Sequence, residues 1–256
     1  MRLLARAITV FGILAAGCAG PVGDDGVSDP ESSADEVVGG KETFEHPEIG
    51  MVWKGGGLCT GTLIRPNVVL TAAHCVTGSP KDEDVSTVQP SYAFEIRASA
   101  EVKQRFAVDR AYAVPSAADF DGSQSWRKKD IALLRLATPV PATLAKPLRA
   151  APSWPWPGAR VALYGYGCTD RATGENGRRP GTGVKRKLER NWTVGLALGW
   201  TETQNVCQGD SGGPLLDLNR GVVLGTNSGY VNEDDRFGDV PASYWVVESI
   251  ANKWSR

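Results

Sequence analysis

Residues 207–216 read CQGDSGGPLL, with Ser211 set between Asp210 and two glycines and an apolar run behind it. A hydroxyl in such a setting is a candidate nucleophile. At neutral pH it needs a base, usually a histidine held in one tautomer by a carboxylate. The chain has only two histidines. His46, in EHPE (45–48), is flanked by acids and Pro47 and reads as an exposed turn residue. His74, in LTAAHC (70–75), follows an apolar strand and precedes a cysteine, which makes it the candidate base. Asp130 opens the run DIALLRL (130–136) and places an acid at the mouth of an apolar strand. It suits the carboxylate role; an acid at a strand entry paired with Lys128 or Lys129 is the competing reading.

Chain order separates the hydrolase types. Residues 209–213 also satisfy the GxSxG pattern of the α/β-hydrolase elbow, but that scaffold needs its histidine after the serine, and none follows Ser211. A subtilisin arrangement needs the aspartate before the histidine on a helix-rich scaffold. The order here is His74, Asp130, Ser211, the chymotrypsin order.

The rest of the chain reads as strands. CTGTLI (59–64) and VVLTAAHCV (68–76) flank Arg65-Pro66-Asn67, a turn signal that joins a hairpin. YAFEIRA (92–98) alternates like a half-buried strand, whereas IALLRL (131–136) is nearly continuous and suits a buried one. RVALYGYG (160–167) and GVVLGTN (221–227) look like further strands. The spacing of these runs, with 30 glycines and 16 prolines as punctuation, indicates an all-β barrel or sandwich. The exception is YWVVESIANKW (244–254), where Val247, Ile250 and Trp254 recur at helical spacing and predict a C-terminal helix. WPWPG (154–158) reads as an extended linker between two halves, and the basic GVKRKLER (183–190) as a solvated loop.

With 28 basic and 29 acidic side chains in 256 residues, nothing points to a nucleic-acid partner. The first 18 residues look like an export signal. Arg2 and Arg6 precede VFGILAAG (10–17), an apolar stretch too brief to span a bilayer. LAAGC (14–18) resembles the bacterial lipobox, which makes Cys18 a candidate lipidation site; ordinary signal-peptide cleavage and secretion is the alternative. Residues 19–36 are acidic, without an aromatic or basic side chain, and read as a disordered spacer or propeptide. The remaining four cysteines, Cys59, Cys75, Cys168 and Cys207, form no CxxC pair, so two disulfides are expected rather than a zinc site.

LTAAHC, DIALLRL and GDSGGPL, with VVGG (37–40) ahead of them, closely resemble the signature segments of the trypsin/chymotrypsin-like serine peptidases. The resemblance covers Val37 to Arg256. It implies an all-β fold of two perpendicular six-stranded antiparallel β-barrels, with a cleft between them and a monomer as the working unit. Ser211 then attacks the scissile carbonyl of a polypeptide, His74 shuttles the proton and Asp130 orients the imidazole. Gly209 and Ser211 supply the oxyanion-hole N–H groups. Cleavage by an activating protease frees the Val37 amine to pair with Asp210, an activation switch. Glu36, rather than Arg or Lys, precedes that bond, so the expected activator is a glutamate-tolerant protease rather than a trypsin-like one; the alternative is that this bond is not processed. Cys59 and Cys75 match the family's bridge beside the histidine. Cys207 lacks the usual downstream partner, which leaves Cys168.

In the same alignment Asn205 falls at the base of the primary specificity pocket, where an acid would be needed for Arg or Lys. Ser228, Gly229 and Tyr230 line the adjoining wall, and Ala242 is a weaker candidate for the opposite one. No cofactor or metal is expected; KDEDV (81–85) has no clear calcium-ligand spacing. Two other functions compete with an active exported endopeptidase, whose only membrane contact would be a lipid anchor. One is a catalytically silent binding protein on the same scaffold; the other is a processing enzyme devoted to one partner protein.

Overall fold

A strand whose every residue is apolar needs burial on both faces, because successive side chains point in opposite directions. The computed structural model shows how the chain meets that demand. It describes residues 41–54, 57–77, 92–114, 130–155, 160–170, 175–176, 181–182, 188–191, 195–198, 206–231 and 234–256. In chain order the strands begin β1 (Lys41–Glu42), β2 (Ile49–Lys54), β3 (Gly57–Arg65), β4 (Val68–Thr71), β5 (Ala93–Arg97), β6 (Lys103–Ala113) and β7 (Ala132–Leu136). Then come β8 (Arg149–Ala150), β9 (Val161–Gly165), β10 (Cys168–Asp170), β11 (Glu175–Asn176), β12 (Gly181–Thr182), β13 (Leu188–Asn191) and β14 (Gly195–Leu198). The last are β15 (Pro214–Asp217), β16 (Val222–Val231) and β17 (Asp234–Asp239). The described residues also form two helices: the single turn α1 (His74–Thr77) and the C-terminal α2 (Val240–Trp254).

Strands β2, β3, β4, β7, β6 and β5 close into an antiparallel barrel. The other main sheet runs β1-β12-β9-β15-β16-β17-β14-β13, with β8 added in parallel to β16. The expected two-sheet, all-β architecture with a terminal helix is present. Closure of the sheet is observed for the first barrel. Pro66 and Asn67 make the β3–β4 turn, as the sequence predicts.

The continuous apolar runs are explained by two cores rather than one. In β4, Val69 enters the interior of the barrel while Val68 and Leu70 enter a second cluster. In β7, Leu134 and Leu133 divide the same way. That second cluster also takes Tyr166, Leu216 and Val223 from the other sheet and Val240, Val247 and Trp254 from α2. It therefore glues barrel, sheet and helix together. A third cluster, with Leu163, Leu215, Leu224 and Phe237, fills the far side of the second sheet.

Helix α2 starts four residues before the periodic stretch. Asp239 caps it by accepting from the Ala242 N–H at 2.8 Å, and Pro241 sits in the first turn, where its missing N–H costs nothing. The expected loop at 183–190 is also corrected: residues 188–191 form β13, paired with β14. Leu188 and its neighbours find ladder partners that a local charge count cannot show. The export segment, Cys18, the acidic spacer, the VVGG segment and KDEDV lie outside the described residues. So does most of WPWPG, although residues 151–155 carry neither strand nor helix. No helix among the described residues is long and apolar enough to cross a membrane.

A charged cluster pins the barrel's outer wall. Glu95 on β5 accepts from Arg105 (2.7 Å) across the β5–β6 ladder and from Arg97 (3.1 Å). The Arg105 guanidinium lies 4.7 Å over the Trp53 ring. Burial pushes the Glu95 carboxyl up, but the two arginines outweigh it and the group ionises below its ordinary value. A carboxyl depressed in the folded state stabilises the fold at pH values above the ordinary value and loses that contribution as pH falls through the folded one. The stability gap between wild type and Glu95→Gln should thus hold steady above about pH 5 and shrink toward pH 3 in urea titrations.

Candidate active site

A carboxylate with no exposure is costly unless every oxygen has a donor. Asp130, fully buried at the entry to β7, has them. Oδ1 accepts the backbone N–H of His74 at 3.0 Å. Oδ2 accepts Nδ1–H of the same residue at 2.7 Å and the Ser228 hydroxyl at 2.5 Å. The Asp130 carbonyl accepts from the Thr226 hydroxyl at 2.8 Å. Asp130 and His74 come from the first barrel, whereas Thr226 and Ser228 come from β16 of the second sheet. Lys128 and Lys129, the partners in the competing reading, lie outside the described residues; among the described residues the carboxylate is bonded to His74 and Ser228.

Because a carboxylate can only accept, the contact sets Nδ1 of His74 as the donor and turns Nε2 away from Asp130. The imidazole is about a quarter exposed. Nε2 lies 3.8 Å from Cys75 Sγ, which in turn lies 3.6 Å from the Ser211 carbonyl oxygen. The same carbonyl accepts from the Thr60 N–H at 2.8 Å, so the Ser211 turn is docked on β3 beside the imidazole. The structure thus brings His74, Asp130 and Ser211 to one place at the seam between the two sheets.

The turn itself is shaped by its neighbours. Gly209 has φ +100°, a conformation that side chains rarely adopt, and its carbonyl accepts from the Thr60 hydroxyl at 2.8 Å. Asp210 is buried and uses both oxygens on backbone amides: Gly167 N–H at 2.8 Å and Cys207 N–H at 2.7 Å. A Cβ on Gly167 would fall 2.5 Å from both carboxylate oxygens, so only glycine allows this approach. The two expected disulfides, Cys59–Cys75 and Cys168–Cys207, are both formed. The second ties the start of β10 to the nucleophile loop. Cys59, His74 and Cys75 cluster within metal-ligand range, but the two sulfurs are bonded to each other and offer no thiolate.

The specificity residues are less well placed. Ser228 is buried and bonded to Asp130. Gly229 has φ +127° with open space where a Cβ would stand. Tyr230 continues β16 opposite Asp235, and its side chain, like Asn205 and Val37, lies outside the described residues. Ala242 is corrected: it is exposed on the first turn of α2 and walls no strand pocket. His46 is not a free surface residue either. It is half-buried, bonded to Glu48 at 2.7 Å, and packed edge-on against Tyr164.

Three participants were missed in the sequence. Thr60 and Thr226 are single hydroxyls in apolar strands, whose role depends on a strand distant in sequence. Lys54, at the end of β2, is the third: burial pulls its ammonium below the ordinary value, and Asp130 partly restores it. No local pattern announces any of them.

With this geometry in place, the comparisons with known proteins agree. The trypsin family model matches residues 37–254, and the chain belongs to that family. It is 26% identical over 209 residues to a dog (Canis lupus familiaris) hepatocyte growth factor activator serine protease, covering 73% of this chain and 31% of that protein. It is 29% identical to a trypsin-like protease of Streptomyces glaucescens, over 88% of this chain and 83% of the relative. Among solved structures it resembles human heparin binding protein with TM-score 0.67 and 19% identity, over 84% of this chain and 97% of that one. The chain spans about a third of the length of the growth factor activator protease it matches.

Removing the Ser228 hydroxyl leaves Asp130 Oδ2 with one donor fewer in a dry setting. Ser228→Ala should cost about 1–3 kcal/mol of stability, read by urea unfolding, without loss of either disulfide in peptide mapping.

Proposed function

We propose that this protein is an exported serine endopeptidase that hydrolyses polypeptides through an acyl-enzyme. One observation carries the reading: the Asp130 carboxylate fixes His74 by Nδ1, leaving Nε2 free beside the Ser211 turn. His74 takes the Ser211 proton as the hydroxyl attacks the scissile carbonyl, then delivers it to the leaving amine. Asp130 stabilises the imidazolium between the two steps. The N–H groups of Gly209 and Ser211 receive the developing oxyanion, for which the positive φ of Gly209 turns the backbone.

Activation follows from Asp210. Its buried carboxylate accepts from the Gly167 and Cys207 amides. By the family resemblance, the Val37 amine freed by cleavage of the Glu36–Val37 bond pairs with this carboxylate and orders the loop that Asp210 already holds. A glutamate-tolerant protease is the activator. In the family alignment Asn205 takes the pocket-base position, where an acid would be needed for Arg or Lys, and Ser228, Gly229 and Tyr230 take the wall; the missing acid argues against cleavage after Arg or Lys. Cys18, in its lipobox-like setting, either carries the anchor that holds the enzyme at a membrane or is removed with the signal segment.

A fluorophosphonate probe should label Ser211 in the processed chain and leave Ser211→Ala unlabelled. His74→Ala and Asp130→Asn should each lower kcat/KM by roughly 10⁴-fold. Absence of labelling once Val37 is the amino terminus would favour a catalytically silent binding protein. Edman sequencing of active enzyme should begin at Val37, and a fluorogenic panel should show no dominance of Arg or Lys at the cleaved position.

A further inference from the structure

Away from the catalytic seam lies a cavity of about 560 Å³ whose wall carries Arg65, Arg149, Arg220, Tyr244 and Glu248. Arg65 ends β3, Arg149 is on β8, Arg220 lies in the turn between β15 and β16, and the other two are on α2. Ser228, which serves the catalytic aspartate, sits six residues along β16 from the cavity residue Val222. At about 3.3 Å per residue the two sites are roughly 20 Å apart.

The three guanidiniums are in different states. Arg220 is locked: Nε donates to the buried Asp217 at 2.6 Å, and its other nitrogens reach Ser153 O at 2.9 Å and Ser153 Oγ at 3.3 Å. Arg65 is held by the Ile64 carbonyl at 2.7 Å, by Glu248, and by Asn252 at 3.3 Å. Each has five N–H donors, so two remain unspent on each. The Arg149 side chain is exposed and has no hydrogen bond or ion pair among the described residues. Glu248 is the one acid on the wall, and Asp217 sits buried behind Arg220. Two fixed forks and one free one therefore share a cavity that keeps a net positive charge.

We propose that this cavity binds a small organic phosphate or sulfate ester. A tetrahedral oxyanion offers three outward oxygens and can accept from three forks at once, whereas a single planar carboxylate engages one or two. Fixing Arg65 and Arg220 beforehand removes part of the ordering cost of binding. The volume falls within the range of small-molecule sites and exceeds what a bare oxyanion fills. The Tyr244 ring supplies a wall for the organic part of the ester.

The test uses the full chain with phenyl phosphate, pyrophosphate and phenyl sulfate as probes, against acetate and a short oligoglutamate. Calorimetry should show phenyl phosphate or phenyl sulfate binding with one-to-one stoichiometry, and whichever of the two binds tighter identifies the ester. At about tenfold Kd the melting temperature should rise by roughly 3–6 °C. Arg149→Glu should weaken binding at least tenfold while leaving the ligand-free melting temperature unchanged, since Arg149 supports no other described group. Equal binding by Arg149→Glu, no binding by any ester, or tighter binding of the oligoglutamate would each overturn the assignment. Calorimetry reads contact rather than hydrolysis, so failure here leaves the Ser211 labelling result standing.

Discussion

Everything at the seam depends on a single buried charge. Asp130 has no contact with solvent, and burying it is tolerable only because donors from two sheets converge on it. His74 supplies two of them from the first barrel. Ser228 supplies the third from β16, with Thr226 bonding the same residue's carbonyl. The carboxylate thereby does two things together: it closes the seam between barrel and sheet, and it fixes the orientation of the His74 imidazole. In the proposed mechanism, stability and chemistry meet at this residue.

Thr60 plays the corresponding part on the Ser211 side. Its hydroxyl donates to Gly209 O and accepts from Tyr166 N–H at 3.0 Å, while its own N–H reaches Ser211 O. One fully buried residue of the first barrel thus bonds three points outside it, two through its hydroxyl and one through its amide. Its neighbour Cys59 is bonded to Cys75, adjacent to His74. His74 and Ser211 are therefore referred to the same two residues of β3, which limits how far one can drift from the other.

The divided cores explain why the chain's apolar runs are so dense. A strand in a one-core sandwich alternates apolar with polar. Here β4, β7, β15 and β16 each send alternate residues into two different clusters, as Leu215 and Leu216 do in β15. The cluster shared by barrel, sheet and α2 also accounts for the helix. Val240, Val247, Ala251 and Trp254 bury against it while Trp245 remains 83% exposed.

Much was legible along the chain because some constraints are local. The order His74, Asp130, Ser211, the prolyl turn at residues 66–67, the apolar runs and the helical spacing near the end all follow from neighbours in sequence. The Cys168–Cys207 bridge was legible by a different route, since the family resemblance left Cys207 a single partner. Other features depend on groups far apart in the chain. Thr60 meets Gly209 across 149 positions and Thr226 meets Asp130 across 96. Leu188 to Arg190 read as loop until β14 was beside them, and Ala242 read as wall, whereas it stands on the first turn of α2. By itself the sequence determined which runs must be buried and which side chains were candidates for chemistry. Tertiary structure alone decided which hydroxyls and amides meet the buried carboxylates, because a buried hydrogen bond is specified by the geometry of both partners and a sequence displays only one at a time.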